Sequence, residues 1–230
     1  MQLFCAPHAG SSALNYYQWK QDLSNTITVV PLELAGRGLK SKIEPFTELT
    51  AAVEDVWSDF LKEYDGNEYA LFGHSLGCWI IYELYNKIDE AGMRLPKALF
   101  LSGNCPPFYR KPKDYSNMTE EGFVEAIMEL GGTNESVFED KEVREKYLNL
   151  MRADFIMAET SHCPKREQSI QSHVVVLGGT EDKSVTTKDL LSWKEVVAGS
   201  YTLCRIKGDH FFPFTNEKDT LKVIEEILLQ

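Results

Sequence analysis

No apolar run in this sequence approaches the length that crosses a bilayer. Stretches such as Val174-Val175-Val176-Leu177 and Ile227-Leu228-Leu229 fall far short of the ~20 residues of a spanning helix. The opening Met1-Gln2-Leu3-Phe4-Cys5-Ala6-Pro7 has neither a basic start nor an apolar stretch long enough for a secretory signal. Cysteine is sparse: the five residues Cys5, Cys78, Cys105, Cys163 and Cys204 are scattered, and no CxxC pair or HExxH spacing occurs. A disulfide framework and a zinc site are therefore not expected, and reduced thiols in the cytoplasm are. Basic residues are outnumbered, 24 Lys and Arg against 35 Asp and Glu, for a net charge of −11. Such a field repels phosphate backbones and anionic lipid, which argues against nucleic-acid or membrane-surface binding. Low-complexity segments and coiled-coil heptads are missing too, so a monomer is the default.

What is present suits a globular protein. The chain has 230 residues, 43% of them hydrophobic, which favours a single domain spanning 1–230 with an insertion. A domain of that size buries roughly 70–75% of its unfolded surface. Short β-rich runs at Leu3–Ala6, Thr26–Pro31, Tyr69–Phe72, Lys97–Ser102, Ser172–Leu177 and Tyr201–Ile206 alternate with segments of helical period. One such segment carries Leu49, Val53, Val56, Trp57, Phe60 and Leu61 behind a cap at Thr47. A second runs from Leu190 through Val197 to a stop at Gly199, and a third carries Leu221, Ile224, Ile227 and Leu228 behind a cap at Asn216. This alternation predicts a mostly parallel sheet with helices on both faces.

Residues 106–168 break the pattern. They begin with Pro106-Pro107 and the basic Arg110-Lys111-Pro112-Lys113. Two helices then follow, one with Phe123, Ile127 and Leu130, the other with Val143, Tyr147, Leu150, Met151 and Phe155 after Asp140. A helical insertion of that length in an α/β sheet reads as a lid. Leu-Gly-Gly-Thr occurs at 130–133 and again at 177–180, ending a helix once and a strand once, so it marks turn chemistry rather than an internal repeat.

The chemistry centres on Gly73-His74-Ser75-Leu76-Gly77. A strand precedes it and an apolar helix follows, the context in which G-x-S-x-G forms a nucleophile elbow. A serine hydroxyl attacks only when a base takes its proton and an acid orients that base. In α/β hydrolases the order along the chain is serine, acid, histidine. His173 lies in a strand and His162 in the insertion, whereas His210 follows the last strand and is the candidate base. Asp182, in the loop after Val174–Leu177, is the candidate acid, with Glu181 and Asp189 as competitors; Asp209 is too close in sequence to His210. His74 is expected to pack behind the elbow. Oxyanion donors are expected from the backbone N–H of Leu76 and, in the loop Pro7–Ser12, of Ala9.

Several blocks together resemble the type II (external) thioesterases that serve nonribosomal peptide and polyketide synthases, over essentially the whole chain. They are Phe4–Ser12, Pro31–Gly38 with Gly36-Arg37-Gly38, the elbow, Leu130–Thr133, Leu150–Asp154, Gly178–Asp182 and Gly208–Phe212. Ser11 and Ala35 stand where that family usually has glycine and proline. The resemblance implies an α/β-hydrolase fold and hydrolysis of acyl or aminoacyl thioesters. Their carrier is the phosphopantetheine arm of an acyl or peptidyl carrier protein, with no cofactor held by the enzyme. It also implies Arg37 as an organiser of the site, a surface arginine in a tight turn being the alternative. Carrier proteins of this kind are generally acidic, so the basic stretch 110–113 is read either as a local counter to global repulsion or as a solvated loop. The same triad would serve a small-ester carboxylesterase or an acyltransferase, and a hydrolase fold can also survive as a non-catalytic binding protein.

Overall fold

The β-rich runs all join one sheet. The computed structural model describes residues 1–109, 114–160 and 165–230. Its strands are β1 (Gln2–Ala6), β2 (Thr28–Pro31), β3 (Tyr69–His74), β4 (Ala98–Ser102), β5 (His173–Gly179) and β6 (Tyr201–Ile206). They lie in the order β2-β1-β3-β4-β5-β6, every neighbouring pair parallel. Parallel strands need crossovers, and helices supply them: α1 (Trp19–Asp22), α2 (Leu49–Glu63), α3 (Leu76–Glu90), α4 (Glu120–Leu130), α5 (Lys141–Thr160), α6 (Thr187–Leu191), α7 (Phe212–Thr215) and α8 (Glu217–Leu228).

The strand period of two sorts side chains between two cores. Phe4, Leu71, Leu99, Val174 and Val176 share one face with Val53, Val56 and Phe60 of α2 and Ile80 and Leu84 of α3. Leu3, Ala70, Phe72, Phe100 and Val175 face Trp19 of α1 and Leu221, Ile224 and Leu228 of α8. Each large apolar side chain so buried contributes about 1.5–3 kcal/mol. A third, smaller core sits outside the sheet, where Phe123 and Ile127 of α4 meet Leu148, Met151 and Phe155 of α5. Both helices fall in the stretch between β4 and β5, as their periodicity predicts. The basic stretch 110–113, His162 and Cys163 lie outside the described residues.

Two helix boundaries and one cap bond differ from the sequence reading. Glu48, not Thr47, stands at the start of α2 and makes no side-chain cap; the Thr47 carbonyl instead accepts from Thr160 Oγ1 of α5 at 3.2 Å. Asn216 occupies the N-cap of α8, but its amide donates to Lys207 O at 3.1 Å and Asp219 Oδ2 at 2.9 Å rather than capping the helix. The segment ending at Gly199 is α6 followed by a 3₁₀ turn over Ser192–Val196. Gly199 is no left-handed stop: a Cβ there would meet Gln171 O at 2.3 Å and Ser172 O at 2.6 Å, so close backbone approach demands glycine. Leu61 and Val143, placed by periodicity on apolar faces, are exposed.

Candidate active site

One residue separates β3 from α3, and it is Ser75. Its φ of 54° and ψ of −116° make it the only non-glycine residue with positive φ among the described residues. Such a conformation costs of order 1–3 kcal/mol and persists only where its surroundings enforce it. The Ser75 N–H donates to Ser102 O of β4 at 2.8 Å, and Asn104 Nδ2 donates to Ser75 O at 3.0 Å. The flanking glycines have a steric cause. A Cβ on Gly73 would lie 2.1 Å from Gly77 O, and one on Gly77 would lie 2.4 Å from Ala6 O of β1. Strand and helix therefore cross at a separation that only glycine permits.

The loops after β5 and β6 bring the other two groups in. Thr180 N donates to Ile206 O and Glu181 N to Gly208 O, both at 2.8 Å, which ties the loop bearing Asp182 to the loop bearing His210. His210 Nε2 lies 3.1 Å from Ser75 Oγ, and His210 Nδ1 lies 2.8 Å from Asp182 Oδ2. Asp182 Oδ1 also accepts from the Ser184 N–H at 2.8 Å and the Ser184 hydroxyl at 2.6 Å. Burial pushes the Asp182 carboxyl up, but the bonds to His210 and Ser184 outweigh it and hold the group below the usual carboxylate range. An ionised acid thus faces His210 at neutral pH, fixing the tautomer that leaves Nε2 free to accept a proton.

The competing residues are otherwise employed. Asp189 closes a capping box with Thr186 at the start of α6, and Glu181 is exposed. Asp209 Oδ1 accepts from Phe211 N at 2.8 Å, and His173 Nε2 lies 2.9 Å from Thr202 Oγ1 on β6. His74 is fully buried behind the elbow, its Nδ1 3.0 Å from Ser102 Oγ and its ring centroid 5.0 Å from that of His210. Burial, and then the neighbouring His210 and His8, hold His74 well below the ordinary histidine range. His8 is pushed down to about 3 by burial, with His210 and Arg37 adding to the effect.

Two cavities meet at Ser75 and His210. One, of about 240 Å³, is mainly apolar, with Leu76, Trp79, Phe155 and Val185 in its walls. The other, of about 330 Å³, is more polar and is bounded by Ser11, Ser12, Thr133, Asn134 and Tyr147. Ala9 borders both. The N–H of Leu76 is the first of α3, where no intrahelical acceptor exists. Arg37 is not a surface residue: it is buried and forms a two-pronged ion pair with Asp154 of α5. Asn104, Ser184 and the pairing of Asp154 with Arg37 escaped the sequence reading. Only the position of Asp154 within the block Leu150–Asp154 gave any signal for them.

A parallel sheet with an elbow serine, a histidine and a carboxylate at three strand ends defines a serine hydrolase of the α/β-hydrolase class. Residues 1–228 match the family model described as "Thioesterase domain", and the chain belongs to the thioesterase family. It is 30% identical over 223 residues to the gramicidin S biosynthesis protein GrsT of Aneurinibacillus migulanus, covering 96% of this chain and 86% of that protein. The solved structure of ClbQ from the colibactin NRPS/PKS pathway superposes with a TM-score of 0.93 at 30% identity, covering 99% of this chain and 96% of that one. RedJ, a thioesterase from the prodiginine pathway of Streptomyces coelicolor, gives 0.92 at 25% identity, with 99% and 90% covered. Among the described residues no helix is long and apolar enough to cross a membrane.

Proposed function

We propose that the protein clears acyl or aminoacyl groups from the phosphopantetheine arms of carrier proteins in a nonribosomal peptide or polyketide assembly line. Ser75 is the nucleophile, His210 the general base and Asp182 its orienting acid. The observation that carries the reading is the chain of contacts from Ser75 Oγ to His210 Nε2 at 3.1 Å and from His210 Nδ1 to Asp182 at 2.8 Å, in a thioesterase-family chain whose relatives include GrsT and ClbQ.

The chemistry follows from these positions. Ser75 Oγ adds to the thioester carbonyl while its proton passes to His210 Nε2. The carbonyl oxygen becomes an oxyanion, received by the N–H groups of Leu76 and Ala9. Collapse breaks the carbon–sulfur bond. The departing thiolate belongs to a thiol of pKa about 8.5, so it leaves with little help from an acid and takes up the His210 proton afterwards. Water then adds to the acyl-serine with His210 again as base, and collapse releases the acid and restores the serine. The apolar cavity suits the acyl group and the polar one the amide-bearing arm.

The test compares acylated carrier protein with p-nitrophenyl esters of the same acyl chain. Preferred turnover of the carrier thioester, abolished by Ser75→Ala, is the expected result. Dominant turnover of the small oxoester would replace the carrier reading with that of a general esterase.

A further inference from the structure

The loop that presents Ala9 is fastened at two points by buried carboxylates. At its C-terminal end Glu33, from the segment after β2, accepts from Ser12 Oγ at 2.8 Å and from the Ala13 N–H at 3.0 Å. Next to Ala9 the fastening comes from α5 instead. The Gly10 N–H donates to Asp154 Oδ2 at 2.7 Å. Arg37 Nη1 and Nη2 grip the two oxygens of Asp154, each at 2.7 Å, and Nη1 also donates to Ser11 O at 3.0 Å. One helical turn before Asp154, Met151 presses on the same loop: a Cβ on Gly10 would lie 2.0 Å from Met151 Sδ. Ala9 itself packs against the cluster that α4 and α5 share.

We propose that Asp154 is a positioning residue that couples the seat of α5 to the oxyanion site, so that the N–H of Ala9 is aimed only while this helix lies on the loop. The inference rests on the serine mechanism above and adds a condition to it. A buried ion pair is a weak source of net stability, because desolvation offsets much of its attraction. What this one supplies is direction. Asp154 Oδ2 accepts from two separate segments, Gly10 N–H and Arg37 Nη1, while Oδ1 accepts from Arg37 Nη2, and Arg37 in turn holds Ser11 O, so two successive points of the loop are fixed. Displacing α5 removes the acceptor of Gly10 and the partner of Arg37 together, which frees the peptide units on either side of Gly10. Acyl transfer would then lack one of its two donors until the helix returns.

The experiment reads the oxyanion site separately from substrate binding. A trifluoromethyl ketone analogue of an acyl pantetheine adds Ser75 Oγ to its carbonyl carbon, with the proton passing to His210, and the hemiketal oxyanion is followed by fluorine NMR. An acyl amide analogue of the same length reports ground-state binding. Asp154→Asn is expected to lower kcat and weaken the hemiketal by about 10²-fold, the cost of one lost oxyanion donor. KM and the amide affinity should stay within about threefold, well under the tenfold that 1.4 kcal/mol would give. Equal losses in both ligands, or an unchanged hemiketal in a folded variant, would overturn the proposal. Should Asp154→Asn fail to fold, Arg37→Met combined with Asp154→Leu removes the pair without stranding a charge, and the same criteria apply. If neither folds, the pair is a stability element and the coupling is wrong. Wild-type protein that forms no Ser75 hemiketal would defeat the serine mechanism itself, a result distinct from all of these.

Discussion

The imidazole of His74 lies behind that of His210, with ring centroids 5.0 Å apart. His74 is buried and held well below the ordinary histidine range, so it stays neutral when, in the proposed mechanism, His210 takes up a proton from Ser75. A second charge at that distance would oppose the imidazolium on which proton transfer depends. His74→Ala removes the backing of the ring and strands the Ser102 hydroxyl. It is expected to lower kcat by about 10–100-fold through misplacement of His210 and stability by about 1–3 kcal/mol. Steady-state kinetics together with thermal unfolding check both, and KM should change little.

Asp182 and Ser184 allow a graded test of the acid. Asp182→Asn leaves the shape intact but offers His210 Nδ1 the wrong partner, and a loss in kcat of about 10⁴ is expected by comparison with trypsin-type triads. Ser184→Ala removes one bond to Asp182 Oδ1 and the 3.1 Å contact of the hydroxyl with His210 Nδ1, while the backbone N–H of residue 184 keeps the other bond to Asp182. Its loss should be no more than about tenfold, the equivalent of one ordinary hydrogen bond. Pre-steady-state acylation rates would rank the two variants.

Glu217, at the start of α8, titrates unusually. Burial and the neighbouring Asp22 push its carboxyl up to about 7, against about 4.3 in an unfolded chain. The folded state therefore binds the extra proton over that interval. The stability linked to it is fully present below about pH 4 and is lost as the pH climbs to about 7. Glu217→Gln should raise Tm at pH 8 and leave it unchanged at pH 4, measured by differential scanning calorimetry. A gain at both values would point to a cause other than this carboxyl.

Gly77→Ala probes the elbow crossing. The added methyl would lie 2.4 Å from Ala6 O and 2.9 Å from Pro7 O. Both contacts are backbone and cannot rotate away. Destabilisation at or above the upper end of the usual 1–3 kcal/mol for overpacking is expected, together with loss of fluorophosphonate labelling at Ser75, read by chemical denaturation and mass spectrometry.

Much of the site was legible because its parts obey local rules. The elbow is set by residues within one strand-turn-helix unit, and strand ends place Asp182 and His210 in loops on the same edge of the sheet. Asn216 stands at the N-cap of α8 as its position predicts, but its side chain turns to Lys207 O and Asp219 Oδ2 instead of the helix N–H groups, and α2 begins one residue later than a cap at Thr47 would start it. Periodicity likewise located α5 but not the partner of Asp154, which is 117 residues away in Arg37. A contact of that separation leaves no trace in spacing. Arg37 is buried because a carboxylate from another segment waits for it, and composition cannot show that.

The order of the sheet also dictates when the protein can begin to work. Ser75, Asp182 and His210 follow β3, β5 and β6, so a nascent chain on the ribosome carries the serine of the proposed triad long before its histidine. The first 180 residues could collapse around a strained elbow and still leave Ser75 inert. Synthesis proceeds at about 5–20 residues per second, and 135 residues separate Ser75 from His210, so on the order of 7–27 s pass between the making of the two.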